Sequence, residues 1–294
     1  MNRRIVIAGG IAALATHALP VSGAEPKVRA RGFIITNTYR EAGSDLYLAN
    51  TRGDGLLLEQ RFNELKFTSV DRVENAGEGE LKSRLENFRA LLTPRDVALV
   101  YIAGHGVQIA DENFLLLGDG QTFLSILSII DSVRQATSSV ILMLDACRNQ
   151  PFEQLPEGMR LARAVGKKSG TRSAGAIDLK IATLAAPTTG VSTVKAFQIK
   201  GTGVKVVFAT DPQNVAYDAV DSNQRNSPFA IAIAQRLSER KSLDDVVALA
   251  TGDVVEATNG KQSPWSQGSI GQPIFLAGPP EKKNPARPPF QVPG

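Results

Sequence analysis

The chain has 294 residues, of which 43% are hydrophobic and 21% charged, so it can bury a core and is not disordered throughout. A small net charge of +4 and only 6% aromatic residues argue against a nucleic-acid-binding surface. The chain contains one cysteine, Cys147, and two histidines, His17 and His105. An internal disulfide and a zinc site of clustered cysteines and histidines are therefore excluded.

The N-terminal residues have the pattern of an export signal. Arg3 and Arg4 precede the apolar stretch 5–15, and Ala24 ends a run of small residues. We expect signal peptidase to remove residues 1–24, which places the mature protein in the periplasm or outside the cell. An uncleaved membrane anchor is the alternative. No later segment is long and apolar enough to span a membrane, so we expect no membrane association of the mature form.

Buried strands alternate with amphipathic helices as far as residue 152. In chain order, the apolar spacing predicts a strand at 32–36, a helix at 46–65, a strand at 67–73, a helix at 78–92, a strand at 96–103, a hairpin over 107–117, a helix at 122–135 and a strand at 139–145. The strands at 96–103 and 139–145 are almost continuously apolar, which is typical of parallel sheets covered on both faces. This alternation predicts an α/β fold with a parallel sheet.

The regular alternation of predicted strands and helices stops after residue 152. Residues 153–203 are rich in glycine, serine, threonine and basic residues without a clear period, and we predict an irregular linker there. The remaining predicted elements are a strand at 204–209, helices at 227–240 and 242–258, and a terminal hairpin over 261–276. Residues 278–294 include six prolines and are expected to form an extended tail.

Two candidate catalytic residues follow buried strands. His105 comes after the strand at 96–103, and Cys147 comes after the strand at 139–145. Parallel sheets bind ligands at the carboxyl ends of their strands, so both residues are well placed for an active site if the two strands are neighbours. A thiolate could attack a carbonyl carbon while the imidazole moves the proton, and backbone amides near Gly106 could hold the oxyanion. The alternative is a structural cysteine and a turn histidine.

Several segments resemble the caspase-like, metacaspase-related cysteine peptidases of bacteria. They are Tyr-Ile-Ala-Gly-His-Gly-Val-Gln (101–108), Leu-Asp-Ala-Cys-Arg-Asn-Gln-Pro-Phe (144–152), Phe-Ala-Thr-Asp-Pro-Gln (208–213), Arg-Asn-Ser-Pro-Phe (225–229) and Gln-Ser-Pro-Trp (262–265). The histidine also precedes the cysteine, as it does in caspases. The resemblance implies a caspase-like α/β fold, with a mostly parallel central sheet flanked by helices on both faces.

The same resemblance implies a domain organisation. The peptidase domain would cover residues 25–277, with a large part at 31–152 and a small part at 204–277. The irregular linker at 153–203 would join the two parts, and the proline-rich tail would follow the domain.

The resemblance also implies an activity, which is hydrolysis of peptide bonds in protein or peptide substrates by His105 and Cys147. Asp145, two residues before the cysteine, follows the metacaspase pattern, and Asp211 matches a second acidic position of the substrate pocket. Such carboxylates favour Arg or Lys before the scissile bond. The alternative role for Asp145 is a strand-end carboxylate that accepts backbone amides.

Other properties are less constrained by the sequence. We expect no metal site and no cofactor, although activation by calcium stays open, as does the oligomeric state. A non-catalytic caspase-like scaffold that binds peptides or partner proteins is the second hypothesis for function. The linker contains a run of basic residues, which makes it either a self-cleavage site or only a flexible insertion. These residues are Arg160, Arg163, Lys167, Lys168 and Arg172.

Overall fold

A computed structural model describes residues 28–109, 112–146, 160–166, 177–183, 202–211, 216–220 and 223–280. Within these ranges the strands are β1 (Ala30–Thr36), β2 (Ser69–Glu74), β3 (Val97–Ala103), β4 (Gly106–Ile109), β5 (Glu112–Leu116), β6 (Thr122–Ser125), β7 (Ser139–Asp145), β8 (Arg160–Gly166), β9 (Ile177–Thr183), β10 (Val204–Phe208) and β11 (Trp265–Ser269). The helices are α1 (Thr51–Glu64), α2 (Glu78–Leu91), α3 (Ile126–Arg134), α4 (Pro228–Arg236) and α5 (Leu243–Ala257).

The central sheet has six strands in the order β11-β10-β7-β3-β1-β2. Every neighbouring pair is parallel except β10 and β11, which are antiparallel. All seven residues of β3 are buried, as expected for a strand covered on both faces. The predicted mostly parallel sheet is therefore confirmed.

Helices cover both faces of this sheet. One core joins side chains of α2 and α3 to one face, where Phe88 stacks on Phe33 with ring centroids 5.0 Å apart. The other core joins α1, α4 and α5 to the opposite face, through residues such as Phe62 and Phe229. This two-faced arrangement confirms the predicted fold class.

The helices of the second half begin at serine caps. The Ser227 hydroxyl accepts the Ala230 N–H at 2.9 Å, and Pro228 occupies the first turn of α4, where a missing N–H has no cost. The Ser242 hydroxyl likewise accepts the Asp245 N–H at 3.2 Å at the start of α5. The cap at Ser227 matters for the site, because it fixes the position of a residue that faces the cleft.

A second sheet has the order β4-β5-β6-β8-β9 and corrects two predictions. Residues 122–125 form β6 rather than the first turn of a helix, because they pair with β5 and β8. The linker at 153–203 is not irregular throughout, because it contributes β8 and β9 to this sheet. In both segments the strands form because they pair with partners that are distant in the sequence. The local spacing of apolar residues does not indicate such pairing.

Two further predictions need correction, the start of the first helix and the terminal hairpin. Helix α1 begins at Thr51 rather than at 46, after a short 3₁₀ turn at Ser44–Leu46. The predicted terminal hairpin is a single strand, β11, whose partner is β10 rather than a second strand of its own. The predicted signal peptide at 1–24 and most of the predicted extended tail at 278–294 lie outside the described residues. No helix in the described ranges is long and apolar enough to cross a membrane.

Candidate active site

The carboxyl ends of β3 and β7 lie side by side. Ala103, the last residue of β3, pairs with Asp145, the last residue of β7, and the Gly104 N–H donates to the Asp145 carbonyl at 3.3 Å. The two strands are therefore neighbours, which the active-site prediction required. His105 leaves the sheet at this edge, whereas Cys147 lies outside the described residues.

The His105 imidazole is held in one tautomer by the backbone. Its Nε2 atom lies 2.9 Å from the carbonyl oxygen of Leu46. Because a carbonyl can only accept, Nε2 carries the proton, and Nδ1 keeps its lone pair in the neutral ring. Burial lowers the pKa of His105, although the Leu46 carbonyl and the charge of Asp218 oppose this change. The imidazole is therefore neutral at pH 7, with Nδ1 able to act as a base.

Asp145 is buried at the end of β7, where one carboxylate oxygen accepts two hydrogen bonds. The Tyr101 hydroxyl donates to Oδ2 at 2.9 Å, and the Ser227 hydroxyl donates to the same atom at 2.5 Å. Both donors are side-chain hydroxyls rather than backbone amides. Burial raises the pKa of Asp145 to about 6, although these two hydrogen bonds favour the ionised form.

A second buried carboxylate, Asp54, reaches the same place from the first turn of α1. Its Oδ1 atom accepts the Ser227 N–H at 2.8 Å and the side-chain amide of Asn226 at 3.1 Å. Burial raises the pKa of Asp54 well above its usual range, and the charge of Asp145 raises it further. Ser227 thus holds both carboxylates, one through its N–H and the other through its hydroxyl.

A third carboxylate, Asp218, is half-buried on the segment that precedes α4. The Asn50 N–H donates to its Oδ2 atom at 3.3 Å, and the Asn50 side-chain amide donates to the Asp218 carbonyl at 2.8 Å. Burial raises the pKa of Asp218, whereas backbone hydrogen bonds and the charge of His105 lower it. Asp218 therefore lies within electrostatic reach of the imidazole.

These side chains line one open cleft. Among its described lining residues are His105, the three carboxylates and Ala146, which directly precedes Cys147, and none of them is a lysine or an arginine. Three carboxylates without a cationic partner are complementary to a positively charged side chain of a ligand.

The other predicted site residues take different positions. Gly106 begins β4 and pairs with Leu115, while the Leu116 N–H donates to the His105 carbonyl at 2.9 Å. This register makes Gly106 and Leu115 a non-hydrogen-bonded pair, so the Gly106 N–H points away from β5. Asp211 is partly buried but is not among the residues that line the cleft.

No metal centre is visible in the part of the chain that the structure describes. It contains no group of three or more His, Cys, Asp or Glu side chains arranged to hold an ion. The absence of a cofactor stays a prediction, and activation by calcium stays open.

Sequence reasoning missed four residues that surround His105 and Asp145, namely Tyr39, Asp54, Asp218 and Ser227. The Ser-Pro pair at 227–228 is interpreted as a helix start, and Asp54 falls inside the helix predicted at 46–65, so neither residue stands out as part of a cleft. Tyr39 and Asp218 lie in connecting segments, where no periodic pattern marks them.

A mostly parallel sheet with a cleft at its carboxyl edge defines the class of α/β proteins that bind ligands at that edge. The caspase domain family matches residues 29–275, and the chain belongs to this family. Caspase-like peptidases are cysteine-type hydrolases that act on protein substrates.

Comparison with solved structures gives the same fold. The chain is similar to caspase-1 from Spodoptera frugiperda with a TM-score of 0.53 and 12% sequence identity, covering 87% of this chain and 93% of that chain. A search of curated proteins found no match.

Proposed function

We propose that the protein is an exported cysteine endopeptidase that cleaves after Arg or Lys. The observation that carries this proposal is the pair of buried carboxylates, Asp54 and Asp145, which line one cleft with His105. Export is supported by the basic, apolar and small-residue order of positions 1–24.

In the proposed reaction, Cys147 is the nucleophile and His105 is the base. His105 Nδ1 takes the thiol proton as Sγ attacks the carbonyl carbon, and the proton then passes to the leaving amine as the C–N bond breaks. Water attacks the resulting thioester and gives a proton to His105, and as the C–S bond breaks the imidazolium returns this proton to Sγ and the carboxylic acid product is released. The charge of Asp218 stabilises the imidazolium that forms in each half of the reaction.

The backbone N–H of Gly106 is our candidate donor to the oxyanion. Its register turns this N–H away from β5, and Gly106 follows His105 directly in the chain. A donor so close to the base can face the carbonyl oxygen of a substrate whose carbon faces the thiol.

The acidic cleft is our candidate for the pocket that receives the residue before the scissile bond. A guanidinium or ammonium group would satisfy the charge of Asp145 and Asp54, which now accept only neutral donors. Asp218 would add to the same field. Asp211 stays a proposed pocket residue on the resemblance alone.

The test uses fluorogenic peptides that differ only in having Arg, Lys, citrulline or Asp before the scissile bond. Wild-type protein is compared with the Cys147→Ala variant, each with calcium and with a chelator. We expect thiol-dependent cleavage after Arg and Lys, at least about 100-fold above the variant, because loss of the nucleophile removes covalent catalysis.

The alternative outcomes are separable. Cleavage only after Asp would refute the acidic pocket but keep the peptidase. No cleavage of any peptide under either condition would favour the non-catalytic scaffold that binds peptides or partner proteins.

A further inference from the structure

We propose that Tyr39 is a positioning residue that holds His105 in the orientation needed for catalysis. The inference rests on the proposed function for its effect on activity, although the contacts themselves are properties of the fold. Tyr39 is almost wholly buried and lies just after β1, at the carboxyl edge of the sheet.

Tyr39 contacts both the ring and the backbone of His105. The two rings stack with centroids 4.9 Å apart and planes 27° from parallel. The Tyr39 hydroxyl accepts the His105 N–H at 2.9 Å and donates to the Leu116 carbonyl at 2.7 Å. One side chain thus supports the imidazole face and also fixes the peptide from which it extends.

The same segment also provides the acceptor for the other side of the imidazole. The Leu48 N–H donates to the Thr38 carbonyl at 3.0 Å, which closes the segment, and Leu46 within it accepts the Nε2 proton of His105. Tyr39 packs in a small core with Phe114, which anchors the segment to the second sheet. Tyr39 therefore holds the ring face and backbone N–H of His105, and Leu46 holds its Nε2.

The backbone of Tyr39 adopts a conformation that is unfavourable for a residue other than glycine. Its φ angle is +56°, in the left-handed region that side chains other than glycine rarely adopt. Asn75 compensates, because its Oδ1 atom accepts the N–H groups of Thr38 at 2.6 Å and Tyr39 at 3.2 Å. Gly104 leaves room for the hydroxyl, since a Cβ atom there would lie 2.7 Å from it. Strain that the surroundings maintain in this way is common at functional sites.

The activity test compares three variants on the arginyl peptide. Tyr39→Phe keeps the ring but removes the hydroxyl, and we expect kcat to fall about tenfold with KM unchanged. Tyr39→Leu removes both contacts, and we expect a fall of about 100-fold, within the usual contribution of a general base. Tyr47→Phe is the matched control, because this exposed tyrosine of the same segment bonds only Arg40 through its hydroxyl. Its activity should equal that of the wild type.

A second readout does not depend on peptidase activity. In a Cys147→Ala, His17→Gln background, His105 is the only histidine, so its ¹⁵N and ¹³C resonances report the tautomer and the ring-current shift directly. We expect the Nε2–H tautomer in the parent and in Tyr39→Phe. In Tyr39→Leu we expect mixed tautomers and loss of the upfield shift caused by the stacked ring.

The outcomes separate this proposal from the proposed function. If no peptide is cleaved but the His105 resonances change as expected, the positioning role stands without the peptidase. The proposal is overturned if Tyr39→Leu keeps the parent tautomer, or if Tyr39→Phe is as active as Tyr47→Phe. If thermal unfolding shows that Tyr39→Leu does not fold, the comparison of Tyr39→Phe with Tyr47→Phe decides.

Discussion

The carboxylate of Asp145 meets two opposing demands. Its burial favours the protonated form, whereas binding of a cationic side chain requires the ionised form. Because the pKa in the folded state lies above its usual value, the contribution of Asp145 to stability falls as pH rises from about 4 to about 6. A guanidinium bound in the cleft would instead favour the ionised form of the Asp145 carboxylate. The pocket should therefore respond to pH independently of the catalytic dyad.

A ratio of two substrates isolates this response. We predict that the preference in kcat/KM for an arginyl over a citrullinyl peptide rises as pH increases through about 6, where Asp145 ionises in the free protein. Steps performed by His105 and Cys147 are common to both peptides and cancel in the ratio. Measuring kcat/KM for both peptides between pH 5 and pH 8 (roughly one unit below and two above this pKa) checks the prediction.

Single isosteric variants assign the effect to residues. Asp145→Asn should lower the arginine preference by about 10- to 100-fold and remove its rise near pH 6, since a charged hydrogen-bond acceptor is lost. Asp54→Asn should also lower the preference. Asp244→Asn, at an exposed position beside Lys205, is the control. An unchanged ratio in Asp145→Asn would show that arginine binds elsewhere.

At this scale the sequence predicts one of the three carboxylates of the cleft, Asp145, but neither Asp54 nor Asp218. Asp145 is predicted because, two residues before Cys147, it matches the metacaspase pattern of the resemblance. Asp54 comes from a helix whose first turn reaches the cleft only because β1 lies next to β3 in the sheet. Strand order is not encoded in local spacing, so no pattern around Asp54 could reveal its role.

At the scale of elements, the linker has more structure than its composition suggests. Strand β8 pairs on one side with β6 and on the other with β9, so the peptide groups of Arg160 and Arg163 belong to a sheet. The next basic residues, Lys167, Lys168 and Arg172, lie outside the described residues, between these two strands in sequence. A peptide must be extended and unpaired to enter a protease cleft, so Arg160 and Arg163 should be poor cleavage sites while they belong to β8.

We predict that any self-cleavage occurs after Lys167, Lys168 or Arg172, and not after Arg160 or Arg163. Intact-mass measurement and N-terminal sequencing of wild type and Cys147→Ala would locate the cut. Replacing Lys167, Lys168 and Arg172 by alanine should abolish processing. The matched control, Arg160→Ala with Arg163→Ala, should leave processing unchanged. Identical integrity of wild type and Cys147→Ala would rule out self-cleavage, and a cut within β8 would contradict the assignment.

Comparison of the predicted and observed elements shows which sequence patterns predict strands and helices correctly. Fully apolar strands such as β3 and β7 were placed almost to the residue, because burial on both faces imposes a continuous apolar run. Strands β6, β8 and β9 are not predicted, because they are defined by pairing with distant partners rather than by a continuous apolar run. Capped helices such as α5 were found from their serine and acidic first turn.

For the molecule as a whole, the cleft depends on contact between α1 and the segment before α4. Asp54 accepts from Asn226 and Ser227, and the helix backbone approaches the Arg225 carbonyl closely. A Cβ atom at Gly53 would lie only 2.3 Å from this carbonyl oxygen. Helix α1 and the segment before α4 thus meet through a position where only glycine fits, one residue before a carboxylate of the cleft.

We predict that Gly53→Ala destabilises the protein by about 2 kcal/mol and disrupts the cleft, because a backbone carbonyl cannot move aside as a flexible side chain could. The matched control is Gly252→Ala within α5, where a Cβ atom would meet nothing within 4 Å and should stabilise by about 0.5–1 kcal/mol. Thermal and urea unfolding measure both changes, and the arginine preference of the Gly53 variant should fall together with its stability. Equal stability of the two variants would show that α1 and the segment before α4 do not depend on this contact, and the acidic cleft would then need another support.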